Sequence, residues 1–435
     1  MKRFILKTTF VACTAVFMTA PVALLAQQAP FDSFRAYDLG GLNVFEPVPT
    51  DTLPFDEVKV RFGVGFAQQL QAISHTNKAA ERLVEGTDLN KLADIGVGAN
   101  LATANLNLDA QLADGIRLNL VTYLSSRHHS EAWVKGGYLQ IEKLTMLNSA
   151  LIDRVMENVM IKAGHMEINY GDAHFRRTDN GAAMHNPFVG NLIMDAFTTE
   201  VGGEVYYFNN GFLAMAGITT GELNPSVISK EDKSPAFLGK IGYDSYVADD
   251  VRVRLTGSLY TANSDSRNTL YGGDRTGSRY YNVMENTVAP GFTSGRVNPG
   301  LTNKVTSIMV NPFVKVGGLE FFGVYETTAG KASAEVEDRR WNQLAGEVIY
   351  RFLEREQLYI GARYNTLNGQ LAPANGVAGN DVTIDRVQVG GGWFLTDNIL
   401  LKGEYVNQQY KGYAETSIFH GGEFKGFVFE GVIAF

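Results

Sequence analysis

Residues 251–259 read VRVRLTGSL, placing Val251, Val253, Leu255 and Leu259 on one side of an extended chain and Arg252, Arg254, Thr256 and Ser258 on the other. A period of two marks a strand whose two faces meet different surroundings. Residues 58–66, VKVRFGVGF, repeat the pattern, with Val58, Val60, Phe62, Val64 and Phe66 opposed to Lys59, Arg61, Gly63 and Gly65. Strands of soluble sandwiches also alternate. The decision therefore rests on what the polar face carries and on how many such strands the chain contains.

Working outward, alternation bounded by turn residues divides the chain into about sixteen strands, near 58–72, 95–112, 116–126, 132–144, 158–167, 198–208, 211–221, 235–246, 251–263, 304–315, 318–328, 340–353, 356–368, 382–395, 398–410 and 424–435. Each reaches the about 9 to 11 residues that a tilted strand needs to cross a bilayer. Short turns such as Asp114-Gly115, Gly317-Gly318 and Asp397-Asn398 alternate with long polar connections around 73–94, 168–197, 264–303, 369–381 and 411–423. This asymmetry predicts an all-β fold, a transmembrane antiparallel β-barrel occupying residues 58–435, with turns at one end and loops at the other. The connection 145–157 breaks the rule, being a long segment on the short-turn side, and reads as a short amphipathic helix.

The chain has 435 residues, 45% hydrophobic and 19% charged, with 46 Gly, 12 Pro and one Cys. These values exclude collagen, a disulfide scaffold and a disordered tail. A mean hydropathy of -0.09 argues against a bundle of membrane helices. A net charge of -8 without a basic arm or stripe disfavours nucleic acid as a partner. Residues 1–26 carry Lys2, Arg3 and Lys7 ahead of an uncharged apolar stretch and read as a secretory signal peptide. The single cysteine, Cys13, falls inside it, so the exported chain has no thiol for a disulfide or zinc site. Residues 27–57, with Pro30, Pro47, Pro49 and Pro54, read as a periplasmic lead-in too short to plug a barrel.

The last strand, EFKGFVFEGVIAF (423–435), sets Phe427, Phe429, Ile433 and Phe435 on one face and ends on an aromatic. It resembles the assembly signal of Gram-negative outer-membrane barrels. Phe208, Tyr243, Tyr260, Tyr350, Phe352, Tyr364, Phe394, Tyr405 and Tyr410, near strand ends, fit interfacial aromatic girdles. Together these features resemble Gram-negative outer-membrane porins. Residues 161–208, IKAGHMEINYGDAHFRRTDNGAAMHNPFVGNLIMDAFTTEVGGEVYYF, are similar to a segment of an incompletely characterised porin family related to the phosphate-selective porins. The resemblance implies a water-filled, homotrimeric channel in the cell outer membrane, in contact with its lipid, passing small hydrophilic solutes or ions.

In porins of this size the loop after the fifth strand folds inward, and residues 168–197 hold that position. They carry Asp172, His174, Arg176, Arg177, Asp179, His185 and Asp195, the candidate constriction, where opposed charges would select ions without chemistry. A solvated surface loop is the competing account. Turning the polar faces inward gives a wall with Arg61, Lys162, Arg252, Arg254, Arg351, Arg363, Arg386 and Lys402 against Glu200, Glu204, Glu347 and Glu404, among others. The slight basic excess predicts a weak anion preference resting on Arg176, Arg177, Arg252 and Arg254. Structural ion pairs between wall residues are the alternative. No motif commends a cofactor or a metal: His128-His129 with Glu131 reads as a loop tip, and Gly390-Gly391-Gly392 lies within a strand rather than before a helix. An enzymatic barrel of the phospholipase kind, a structural or adhesive barrel and a hydrophobic-solute transporter are the competing functions, and no catalytic cluster commends an enzyme.

Overall fold

The computed structural model describes residues 31, 33–49, 55–127, 129–227, 233–263, 267–274, 279–288, 294–374 and 379–435. The signal-peptide assignment with Cys13, and His128 of the loop-tip pair, lie outside the described residues. Sixteen long strands form one closed antiparallel barrel. In chain order they are β1 Lys59–Thr76, β2 Thr103–Ala113, β3 Ile116–Leu124, β4 Ala132–Ile141, β5 Val159–Glu167, β6 Thr199–Asn209, β7 Phe212–Thr219 and β8 Ala236–Ala248. They continue as β9 Val251–Asn263, β10 Lys304–Val316, β11 Leu319–Lys331, β12 Arg339–Phe352, β13 Leu358–Gln370, β14 Asp381–Thr396, β15 Ile399–Lys411 and β16 Glu423–Ala434.

Each strand pairs with its sequence neighbours, and β1 closes the ring. Its first half meets β2 from Lys59↔Gln111 to Ala67↔Thr103, and its second half meets β16 from Gly65↔Ala434 to Thr76↔Glu423. The stagger is the shear that closure demands. Phe435 completes it, its backbone exchanging hydrogen bonds with Val64 at 2.8 and 3.1 Å.

β12 shows why the chain folds this way. Leu344, Val348, Tyr350 and Phe352 are exposed at 54, 48, 47 and 38%, while Gln343, Glu347 and Arg351 are exposed at no more than 3%. Apolar side chains outside and charges inside invert the soluble pattern, as expected where the outer solvent is hydrocarbon. The parity corrects the girdle assignment: Tyr243, Tyr350, Phe352 and Tyr364 face outward, but Tyr260, Phe394 and Tyr410 share the inward face and are buried.

The tight turns follow local chemistry. Between β6 and β7, Asn210 and Gly211 take φ of 49° and 83°, the left-handed pair that a two-residue hairpin requires. The 145–157 connection holds a 3-10 turn at Thr145–Leu147 and a helix, α1, at Ala150–Met156. It leaves Leu147, Leu151 and Val155 exposed at four-residue spacing and buries Met156.

The lead-in reading of 27–57 needs correction, because its described residues enter the turn end of the barrel. Leu39 N donates to Asp397 O at 2.9 Å, Tyr37 reaches Asp109 at 3.0 Å, and Ser33 reaches Glu142 at 3.0 Å. So short a segment is too small to form a domain, yet it suffices as an irregular strap whose polar groups bond to the wall.

Leu344→Arg, on the outer face midway along β12, is expected to destabilise the folded barrel by about 2–4 kcal/mol. Equilibrium refolding into lipid vesicles checks this; an unchanged midpoint would place that face away from hydrocarbon.

Candidate functional site

Irregular chain buried inside the barrel must find partners for its own backbone. The segment 168–197 does so on wall side chains. Asn169 N donates to Glu204 at 2.8 Å, Val189 N to Glu404 at 2.7 Å, Ile193 N to Asn365 at 2.7 Å and Met194 N to Gln343 at 2.9 Å. Its apolar residues Ile168, Tyr170, Val189, Ile193 and Met194 pack against inward Met160, Tyr206, Phe313 and Trp341. These contacts bury much of the segment against inward residues of the wall.

The charged residues of this segment fall into three buried networks. Asp172 meets Lys240 at 2.7 Å and Arg254 at 2.8 Å, and Glu46 of the N-terminal strap meets the same two cations at 2.6 Å each. Burial pushes Asp172 upward, but Lys240 and Arg254 outweigh it and hold the carboxyl below its usual range. Arg252 sits beside this network, paired with Asp244 at 2.7 Å. Arg176 meets Glu347 at 2.7 Å; Glu347 also takes Arg363 at 2.8 Å, and Arg351 meets Glu320 at 2.6 Å. Asn43 of the strap donates to Glu320 at 2.6 Å and accepts from Arg176. Arg177 meets Asp195 at 2.7 Å and Asp274 at 2.5 Å, stacked 4.0 Å over Phe197.

Most of the remaining wall groups are likewise engaged. Lys402 meets Glu430 at 2.9 Å and three loop carbonyls, Ala183, Asn186 and Phe188, at 2.9 to 3.1 Å. Arg386 bonds Gln408 at 2.6 Å and the carbonyls of Asn191 and Gly295. Glu404 also takes Tyr280, Glu200 takes Tyr260 at 2.8 Å, and Arg61 takes Asp109 at 2.6 Å. The four arginines expected to carry anion preference, Arg176, Arg177, Arg252 and Arg254, are thus all paired with carboxylates. A charge count along a sequence sees the cations and not the partners that neutralise them.

What stays open is a cavity of about 290 Å³ beside β2 to β6. It is lined along β4 by Lys135, Gly136, Gly137 and Tyr138, along β5 by Lys162, His165, Met166 and Glu167, and by Arg35 and Tyr37 of the strap. His174 faces it between Glu167 at 2.9 Å and Asn169 at 3.0 Å, and Asp179 pairs with Lys135. His185 reaches Asp38 O at 2.9 Å; burial and then Arg35 push its pKa well below the ordinary value, so it is neutral.

Several of these residues escape sequence reasoning. Lys135 falls on the wrong parity, because it is the extra residue of a bulge, Val121 pairing with Gly136 and Thr122 with Val134. The Gly136-Gly137 pair was the available signal, since a Cβ at Gly136 would lie 2.5 Å from His165 O. Arg35, Asn43 and Glu46 lie in irregular chain, where no period exists to read.

Among solved structures, the anion-selective porin from Comamonas acidovorans matches at TM-score 0.51 and 13% identity, over 87% of this chain and 100% of that one. The outer-membrane channel DcaP of Acinetobacter baumannii matches at 0.50 and 11%, over 87% and 97%, and OprB of Pseudomonas putida at 0.50 and 12%, over 86% and 94%. At such identities the likeness is one of fold: the barrel is of the kind found in porins and outer-membrane channels. No family model and no curated protein matches the chain.

Arg254→Ala leaves Glu46 and Asp172 sharing Lys240 alone and is expected to cost on the order of 3–5 kcal/mol. Loss of the heat-modifiable folded band at a lower temperature than in the wild type checks it; an unchanged transition would mean that the network is not structural.

Proposed function

We propose that this chain is an outer-membrane porin, exported by its N-terminal signal, through which small hydrophilic solutes and ions diffuse passively with a weak preference for anions. The observation that carries the reading is the residual cavity inside a charged wall. Hydrocarbon outside and compensated charge inside make a polar conduit, and the strap and the 168–197 segment narrow it from both ends. On this reading 168–197 is the constriction, although its charges act chiefly by holding its shape.

The anion preference moves from the four paired arginines to the groups that face the cavity. Apart from the paired Arg177, the cations Arg35, Lys135 and Lys162 line it against Glu167 and Asp179, an excess of positive charge in a low-dielectric cleft, which favours anions. Phosphate selectivity, suggested by the stretch 161–208, would call for several unpaired cations around one point, whereas most cations here already hold carboxylates. A homotrimer follows from the porin reading. An enzymatic or adhesive role draws no support from the geometry, in which many of the described buried charges are matched as ion pairs rather than set as nucleophile and base.

Single-channel recording of the refolded protein in a planar bilayer under a salt gradient tests the proposal. Stepwise conductance with an anion-selective reversal potential is expected, in groups of three if the trimer holds; silence from a folded barrel would sink the channel reading. A chain lacking residues 33–49 is expected to conduct more per step, since the strap occupies the turn end. Equal conductance would show that the strap lies clear of the path.

A further inference from the structure

We infer that the solute path runs off the barrel axis, along β4 and β5, and that Lys162 is the residue in it that sets ion preference. The inference rests on the channel reading and deepens it. The strap and the 168–197 segment bond mainly to inward residues of β8 to β16, among them Lys240, Arg254, Glu347, Lys402 and Glu404. That side of the lumen is filled, and the open volume lies against β2 to β6.

Among the charged groups lining that volume, compensation is uneven. Lys135 holds Asp179, Arg177 holds Asp195 and Asp274, and Glu167 takes a hydrogen bond from His174 at 2.9 Å. Arg35 directs Nε and Nη1 at the carbonyls of Gly41 and Phe175, at 2.7 and 2.8 Å. The half-buried Lys162 ammonium, among the described residues, makes neither a hydrogen bond nor an ion pair; its neighbours are the rings of Tyr138 and Tyr206, at 5.4 and 5.2 Å. Its cross-strand partner Glu204 turns its oxygens to Asn169 N at 2.8 Å and Tyr206 OH at 2.5 Å, and so acts on Lys162 only through space.

Tyrosine faces hold an ammonium in place without cancelling its charge. The positive potential of Lys162 therefore projects into the cavity, where a passing monovalent anion supplies the direct ion-pair contact that no carboxylate makes and a cation is repelled. The side chain has no buried partner to strand, so its replacement perturbs conduction before it perturbs folding.

The test is the chloride-to-potassium permeability ratio, from reversal potentials in a KCl gradient, for the wild type and for Lys162→Gln, Lys162→Glu and Lys162→Arg. Folding is verified for each by heat-modifiable mobility. Lys162→Gln is expected to lower the ratio roughly threefold, the effect of one charge a few ångström from the path in a partly aqueous dielectric. Lys162→Glu should invert the preference and Lys162→Arg preserve it. Should the glutamate variant not fold, the glutamine variant decides alone. An anion-selective wild type whose ratio is unchanged in Lys162→Gln overturns the assignment of Lys162 while leaving the channel reading standing. A folded wild type that passes no current overturns the channel reading itself.

Discussion

Everything in this molecule follows from one requirement: within hydrocarbon, each backbone N–H and C=O must find a partner in the protein. An open sheet would leave two unpaired edges, so the chain closes, β1 bonding to β2 along its first half and to β16 along its second. Closure creates two surfaces that never exchange. The outward one must be apolar, since a charge there costs about 2–4 kcal/mol at mid-depth. The inward one receives charges such as Glu347, Arg351, Arg386 and Glu404.

That inward surface then poses a second problem. Charges withdrawn from bulk water are tolerated only when paired and hydrogen-bonded. The barrel solves this by filling itself. Glu46 and Asp172, from two different irregular segments, converge on Lys240 and Arg254 of adjacent strands. Asn43 bridges Glu320 and Arg176 in the same manner. Because these networks join strap, loop and wall, the filling is part of the fold rather than an ornament on it. Lys162, set between two tyrosines with no carboxylate bonded to it, departs from this rule, and it faces the open volume.

The barrel was legible in the sequence because its physics is local. A strand between two unlike solvents must alternate, and Val251-Arg252-Val253-Arg254 does so at each position. Turn chemistry such as Asp114-Gly115 marks the ends of strands, and the place of 168–197 after the fifth strand follows from counting. Where one extra residue enters a strand, as at Lys135, parity shifts and alternation assigns the wrong face. Near strand ends aromatic identity misleads as well: Tyr260 belongs with Arg254 and Ser258 on the inner face, whatever its preference for an interface.

The sequence by itself determined the strand number, the direction of most wall charges and the position of the segment 168–197 after the fifth strand, because these depend on spacing along one chain. Only the tertiary structure decided which charges are cancelled. Arg176 and Lys162 look alike as cations in a sequence; one faces Glu347 across 171 positions of chain and the other faces two rings. The entry of residues 33–49 into the lumen was likewise unreadable, since an irregular strap has no period and its bonds to the wall go to residues remote in sequence. Electrostatic compensation is a property of distances in space, and no periodicity along the chain encodes them.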